Sequence, residues 1–148
     1  MLALSIRQPY AELILRGIKT AELRSRSTNI VGRRFYIYAS KKKWKVESDQ
    51  TSTNSVESWS GKQWSSDLSV ATPPAWMIEL AEQVKMIEPG IVLPTGVIVG
   101  SAVIDNVMPP DAADGVDGLF RWQLADVRRI KTPRKPTCHP QPVWFNPF

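Results

Sequence analysis

Between Gly17 and Arg24 the chain has to stop a helix and start a strand. Upstream, Tyr10, Leu13 and Ile14 fall at i, i+3 and i+4, one apolar face of a helix, and Pro9 suits its first position. Gly17 ends that helix, because a residue without a Cβ accepts the left-handed conformation of a C-terminal cap. Downstream, Thr20 to Arg26 reads as a strand whose side chains alternate. Thr20, Glu22, Arg24 and Arg26 share one face, expected to be outward; Ala21 and Leu23 share the other, expected to meet the core. Lys19 has the wrong parity to join Glu22 within a regular strand and can reach it only from the turn. With Arg7 nearby, opposite charges this close form either a solvated salt-bridge ladder or the polar floor of a binding site.

The rest of the chain supplies mostly strands. Leu2, Leu4 and Ile6 alternate as a short opening strand. Phe35 to Ser40 is aromatic and β-branched, and it runs into Lys41-Lys42-Lys43-Trp44-Lys45, a solvated end or a phosphate-contacting patch. From Val46 to Ala71 the composition turns polar and loses its period, which marks a long insertion loop within a single domain spanning 1–148. Its Trp59 and Trp64 either anchor the loop or cover a ligand. Thr72 and Pro73 open a second helix, about Pro74 to Ile87, with Trp76, Leu80 and Val84 as its core stripe. Val97 to Asp105 is a long strand in which Gly100 signals a bulge or a close backbone approach. Pro109 to Gly118 is an acidic loop. Phe120 to Leu124 and Ala125 to Ile130 read as one strand or a strand pair, Pro133 to Pro142 as irregular, and Val143 to Phe145 as a closing strand. Two helices among several strands, without a βαβ rhythm, indicate an α+β domain or a small barrel.

Composition narrows the function. Cys138 is the only cysteine and His139 the only histidine, so no disulfide framework exists and a zinc site would need distant carboxylates. Neighbouring side chains in a Pro-rich stretch do not form a nucleophile–base pair. No metal and no cofactor is expected. No apolar run reaches the length of a membrane span, and the apolar start Met1 to Ile6 is too short for a signal peptide; a cytoplasmic location without membrane contact is the expectation. The net charge of +5 suits a polyanionic partner. The six tryptophans offer rings on which bases can stack.

Leu4-Ser5-Ile6-Arg7-Gln8-Pro9-Tyr10, followed by a helix and Gly17-x-Lys19-Thr20-x-Glu22-x-Arg24, resembles the ASCH domain of the PUA-like superfamily. Pro94-x-Gly96-x-Ile98-x-Gly100, Phe120-x-Trp122-x-Leu124-x-Asp126-Val127-Arg128 and Trp144 extend the likeness across the chain, apart from 46–71. The resemblance implies a small PUA-like β-barrel with flanking helices and a cleft lined by the GxKxxExR segment. It also implies binding of RNA or nucleotides. Some related small bacterial members hydrolyse the amide of N4-acetylcytidine with a threonine nucleophile three residues after the motif lysine. This chain has Glu22 there, which shifts the expectation from catalysis to recognition.

The leading expectation is therefore a module for RNA, another single-stranded nucleic acid or a modified nucleotide. Glu22 would accept from a base amino group. Arg7, Lys19 and Arg24 would neutralise phosphate, with Arg26, Ser40 and Lys41 completing the surface. Tyr10, Trp144 or Trp44 would stack, at roughly 1–3 kcal/mol per base. The enzymatic alternative, a nucleoside amidohydrolase or ribonuclease, makes Lys19 the base, Thr20 or Ser40 the nucleophile and Glu22 the group that orients the lysine. Two further readings are a protein-interaction domain, and a Glu22 that only pairs with Arg24 or Arg26 on an exposed strand.

Overall fold

The protein is described by a computed structural model covering residues 1–41, 75–110 and 118–148, the side chains of 75–77 excepted. The polar stretch 46–71, Thr72 and Pro73, the patch 42–45 with Trp44, and most of the acidic loop lie outside the described residues. In chain order the elements are β1 (Ala3–Ile6), α1 (Tyr10–Leu15), β2 (Ala21–Arg24), β3 (Arg34–Ala39), α2 (Ala75–Lys85), β4 (Val97–Met108), β5 (Phe120–Arg134) and β6 (Trp144–Phe145).

The six strands form one sheet in the order β2-β5-β4-β3-β1-β6. β1 and β3 are parallel, and the other neighbours are antiparallel. In a flat sheet β5 and β6, four places apart, would be separated by roughly 19 Å at ordinary strand spacing. Instead Trp122 of β5 stacks on Trp144 of β6 with ring centroids 5.8 Å apart and 7° between planes. At the same time Arg24 Nη2 of β2 donates to the Ser5 carbonyl of β1 at 2.8 Å. Both contacts require the sheet to curl into a half-barrel. Its concave face holds the main core, including Leu4, Phe35, Ile37, Ala102, Ile104 and Trp122, and α1 adds Tyr10, Leu13 and Ile14 to it. A smaller cluster, Ala3, Tyr38, Ile98 and Phe145, lies on the other face.

The α1 end follows from its sequence. Gly17 has φ 73°, its N–H bonds the Ile14 carbonyl at 2.9 Å, and the Ile18 N–H bonds the Leu13 carbonyl at 3.0 Å. These are the paired bonds of a Schellman cap. At the other end Pro9 immediately precedes the helix, and the Gln8 side chain accepts from the Glu12 N–H. Glu12 is buried yet charged partners meet it: Arg129 of β5 bonds both carboxylate oxygens, at 2.7 and 3.0 Å, and Arg16 adds a third bond at 2.8 Å. Burial pushes this carboxyl up, but the two arginines outweigh it and hold it below the usual value. The forked pair fastens α1 to β5.

Of the two alternatives for Phe120 to Ile130 the single strand holds, and it continues two residues, to Arg134, into the stretch expected to be irregular. What divides the pattern is a local irregularity: Asp126 takes φ 44°, and the β4–β5 register shifts between Ser101/Arg128 and Val103/Ala125. An extra residue there turns the alternation over without ending the pairing. In α2, Leu80 is buried and Val84 half-buried against the core, while Glu82 and Lys85 pair at 2.7 Å on the exposed side. No helix among the described residues is long and apolar enough to cross a membrane.

Gly100 confirms the close approach its position suggested. A Cβ there would sit 2.5 Å from Leu15 Cδ2 and 2.6 Å from the Arg128 carbonyl oxygen. The leucine tip can turn away, but the β5 backbone cannot. Gly100→Ala is expected to destabilise the domain by about 1–3 kcal/mol, the usual range for overpacking, read as a lower urea midpoint at unchanged m.

Candidate nucleic-acid interface

β2 pairs with β5 so that Glu22 stands opposite Trp122. Directly opposed residues share a face, and Trp122 is in the concave core. Glu22 is therefore inside, 1% exposed, and Lys19 is 4% exposed. This overturns the expected outward row and with it the reading of Glu22 as one member of an exposed salt bridge. Strand parity separates two faces correctly but does not say which is interior. Ala21 and Leu23 lie on the opposite face of β2, beside α2, with Ala21 buried and Leu23 half-buried. There they line a small cavity of about 50 Å³ with Leu80 and Gln83.

The lysine reaches Glu22 from the turn, as its parity required. The cap holds the Lys19 N–H on the Leu13 carbonyl at 3.1 Å. From there Nζ donates to Glu22 Oε2 at 2.8 Å and to the Ala21 carbonyl. On the other side, Arg24 Nε lies 3.1 Å from Glu22 Oε1, an ion pair without the alignment of a hydrogen bond. Its Nη2 continues to Ser5 of β1. A carboxylate thus sits between two cations with almost no water. Burial pushes the Glu22 carboxyl up, but the charges of Lys19 and Arg24 and their contacts outweigh it and hold it below the usual value. The acid's first effect is to fix both cations in place.

Next to this triad is an aromatic stack. Trp122 Nε1 donates to the Arg26 carbonyl at 3.1 Å, which ties the end of β2 to the indole. Trp144 lies flat on Trp122, and its ring stands nearly perpendicular to that of Phe35 with centroids 5.3 Å apart. The half-buried Trp144 also lines an open cleft of about 440 Å³ together with Ser27, Thr28, Asn29 and Ile30. The loop's course is set by Val31, which bridges to Ile104, and by the Gly32 N–H bonding the Ile104 carbonyl at 2.8 Å. Sequence reasoning did not single out Ser27–Ile30. Their only signal is a short polar run after a strand, which many turns share.

The remaining candidates fall into different places. β1 and β3 run parallel with Ile6 opposite Ala39, so Arg7 and Ser40 leave the sheet side by side. Arg7, Arg26, Thr20 and Lys41 are exposed, and Lys41 lies across Gly96. Ser40 is buried, its N–H on the Ile6 carbonyl at 2.8 Å. Tyr10 is 3% exposed within the core, which leaves its ring no open face for a base. Thr20 lines the small cavity on the α2 side. Cys138 and His139 are both exposed. The arrangement thus has a buried ionic triad, an indole stack at an open cleft, and exposed cations.

No curated protein matches the chain. Its residues 4–134 match the ASCH domain, from within β1 to the last residue of β5. That match takes in every strand but β6, together with the Gly17–Arg24 segment that builds the triad, and the chain belongs to the ASCH domain family.

Proposed function

We propose that this ASCH domain binds single-stranded RNA or a modified nucleotide at the cleft beside Trp144. The family, PUA-like and associated with RNA in general, supplies the class of ligand, and the small barrel of that superfamily is the finer description of the half-barrel. The observation that carries the reading is the indole stack: Trp144, held flat by Trp122, is half-buried at an open depression formed with Ser27, Thr28, Asn29 and Ile30. A base can stack on aromatic rings regardless of its identity. Arg24, 22% exposed along its side chain, presents a guanidinium fixed by Glu22 and Ser5, while Arg7, Arg26 and Lys41 supply charge for phosphates. In this reading Glu22 does not touch the ligand. It is a positioning residue, because 1% exposure leaves no surface for a base amino group.

The exposed cations give the cleanest test, since neither Arg7 nor Arg26 has an ion-pair partner among the described residues. Fluorescence anisotropy with a labelled ten-residue oligouridine is expected to show binding that weakens as salt rises. The double variant Arg7→Gln/Arg26→Gln is expected to bind roughly tenfold more weakly, with the salt slope reduced by about 0.7 for each cation that contacts phosphate. Salt-independent binding, or no change in the double variant, would sink the proposal. Incubation with N4-acetylcytidine is expected to give no product; turnover lost in Lys19→Ala would replace recognition by hydrolysis.

A further inference from the structure

The face of the sheet opposite the ionic triad carries its own aromatic and cationic surface. Tyr36, Ser101 and Arg128 are in register across β3, β4 and β5, and Tyr38, Ile98 and Arg134 are in register in a second row. The chain's last residues return over these rows. Pro147 is buried, and its carbonyl accepts from the Thr137 N–H at 2.8 Å and hydroxyl at 3.1 Å. That anchor sets Phe148 edge-on to Tyr36 at 5.9 Å. The Arg134 guanidinium lies 4.5 Å from the centre of the Phe148 ring. Phe148 is nevertheless 48% exposed and Tyr36 half-buried.

Among the described residues, arginines outnumber carboxylates on this face. Arg34 and Arg128 both pair with Asp126, and Arg34 also donates to the Ser101 hydroxyl at 3.0 Å. Arg134 has no acidic partner among the described residues. Two guanidinium groups therefore share the Asp126 carboxylate, and a third, Arg134, lies over an exposed ring with none. Tyr36 packs against the smaller cluster of Ala3, Tyr38, Ile98 and Phe145, whereas Phe148 and the arginines lie outside it. Fixed arginine planes next to exposed rings suit polyanions with flat bases, since both a guanidinium and a phenyl ring offer stacking surfaces while the charge meets phosphate.

We infer that the surface formed by Tyr36, Phe148 and Arg134 is a second contact for single-stranded RNA, separate from the Trp144 cleft. The choice of RNA rests on the proposed function; the position of the surface does not. One base stacks on the Phe148–Arg134 pair, and Arg128 and Arg134 face neighbouring phosphates. A single nucleotide held at the cleft does not reach it, so only longer strands engage both faces.

Titrations of the labelled oligouridine and of uridine monophosphate against the full chain test this. Phe148→Leu keeps an apolar side chain against Tyr36 but removes the ring, and it is expected to weaken oligouridine binding about tenfold, within the range of one lost stack. Arg134→Gln is expected to lower the salt slope by about 0.7. Neither is expected to alter binding of the monophosphate. Oligouridine affinity unchanged in both variants overturns the second contact, even if Arg7→Gln/Arg26→Gln weakens binding and the cleft stands. Equal losses for monophosphate and oligouridine overturn it as well, because the substitutions would then be acting on the cleft. If the Phe148 and Arg134 variants weaken oligouridine but the Arg7/Arg26 variant does not, the second surface holds and the cleft assignment fails. Tighter binding of an acidic peptide than of oligouridine, lost in the same variants, would make this a protein-docking surface instead.

Discussion

Glu22→Gln is expected to destabilise the domain by about 3–5 kcal/mol, the range seen when one partner of a buried ion pair is removed. The amide keeps the volume of the side chain but leaves Lys19, 4% exposed, without its counter-charge. The loss should appear as a lower urea midpoint at constant m. The double variant Lys19→Met/Glu22→Gln should recover part of it, because the stranded ammonium is then gone; a double variant no more stable than Glu22→Gln alone would contradict the pairing. The same carboxylate predicts an acid response. Glu22 and Glu12 are both held below the usual carboxylate value of 4.5 when folded. Their contribution is fully present above the unfolded value and is lost as the pH falls through their folded values. Stability of the parent chain should thus begin to decline below about pH 4.5 and continue to fall below it, and Glu22→Gln should show a shallower decline over that range.

Trp122→Ala is expected to have a comparable effect, about 3–5 kcal/mol for a fully buried tryptophan, or a fall in Tm of roughly 10 °C for a chain of this size. Three contacts go at once: the burial of the indole, its bond to the Arg26 carbonyl, and the surface beneath Trp144. Trp122→Phe should retain most of the burial and part of the stack, so its loss should be much smaller. The ligand should report the stack separately. At a temperature where both variants are folded, Trp122→Ala should weaken oligouridine binding more than Trp122→Phe does. Equal affinities would mean that Trp144 needs no support to bind a base.

Local physics made much of the fold legible. The α1 helix, its Gly17 cap and the turn position of Lys19 are decided within a few residues by backbone sterics and side-chain period. The same holds for β3, whose aromatic and β-branched run can form little else, and for Gly100, where the absence of a side chain already pointed to a close neighbour. Where the reading failed, the missing information was not local. Pro133 and Arg134 read as irregular from their composition, yet they end β5, where Arg134 pairs with Ile98 of β4. The face of β2 that turns inward depends on what covers it.

What the sequence determined by itself is α1 with its Gly17 cap, the strands β1 and β3, the two faces of β2 and the chemistry of the Gly17–Arg24 segment, because these follow from backbone geometry over a few residues. The family likeness was carried by the same ordered residues and was borne out over 4–134. Only the tertiary structure decided that Glu22 is interior. A charged side chain avoids burial unless partners arrive with it. Lys19 brings one charge from the turn, and Arg24 reaches across to Ser5 only because the sheet curls. The curl likewise brings Trp122 to Trp144, two indoles that no sequence spacing connects, and so creates the cleft on which the proposed binding depends.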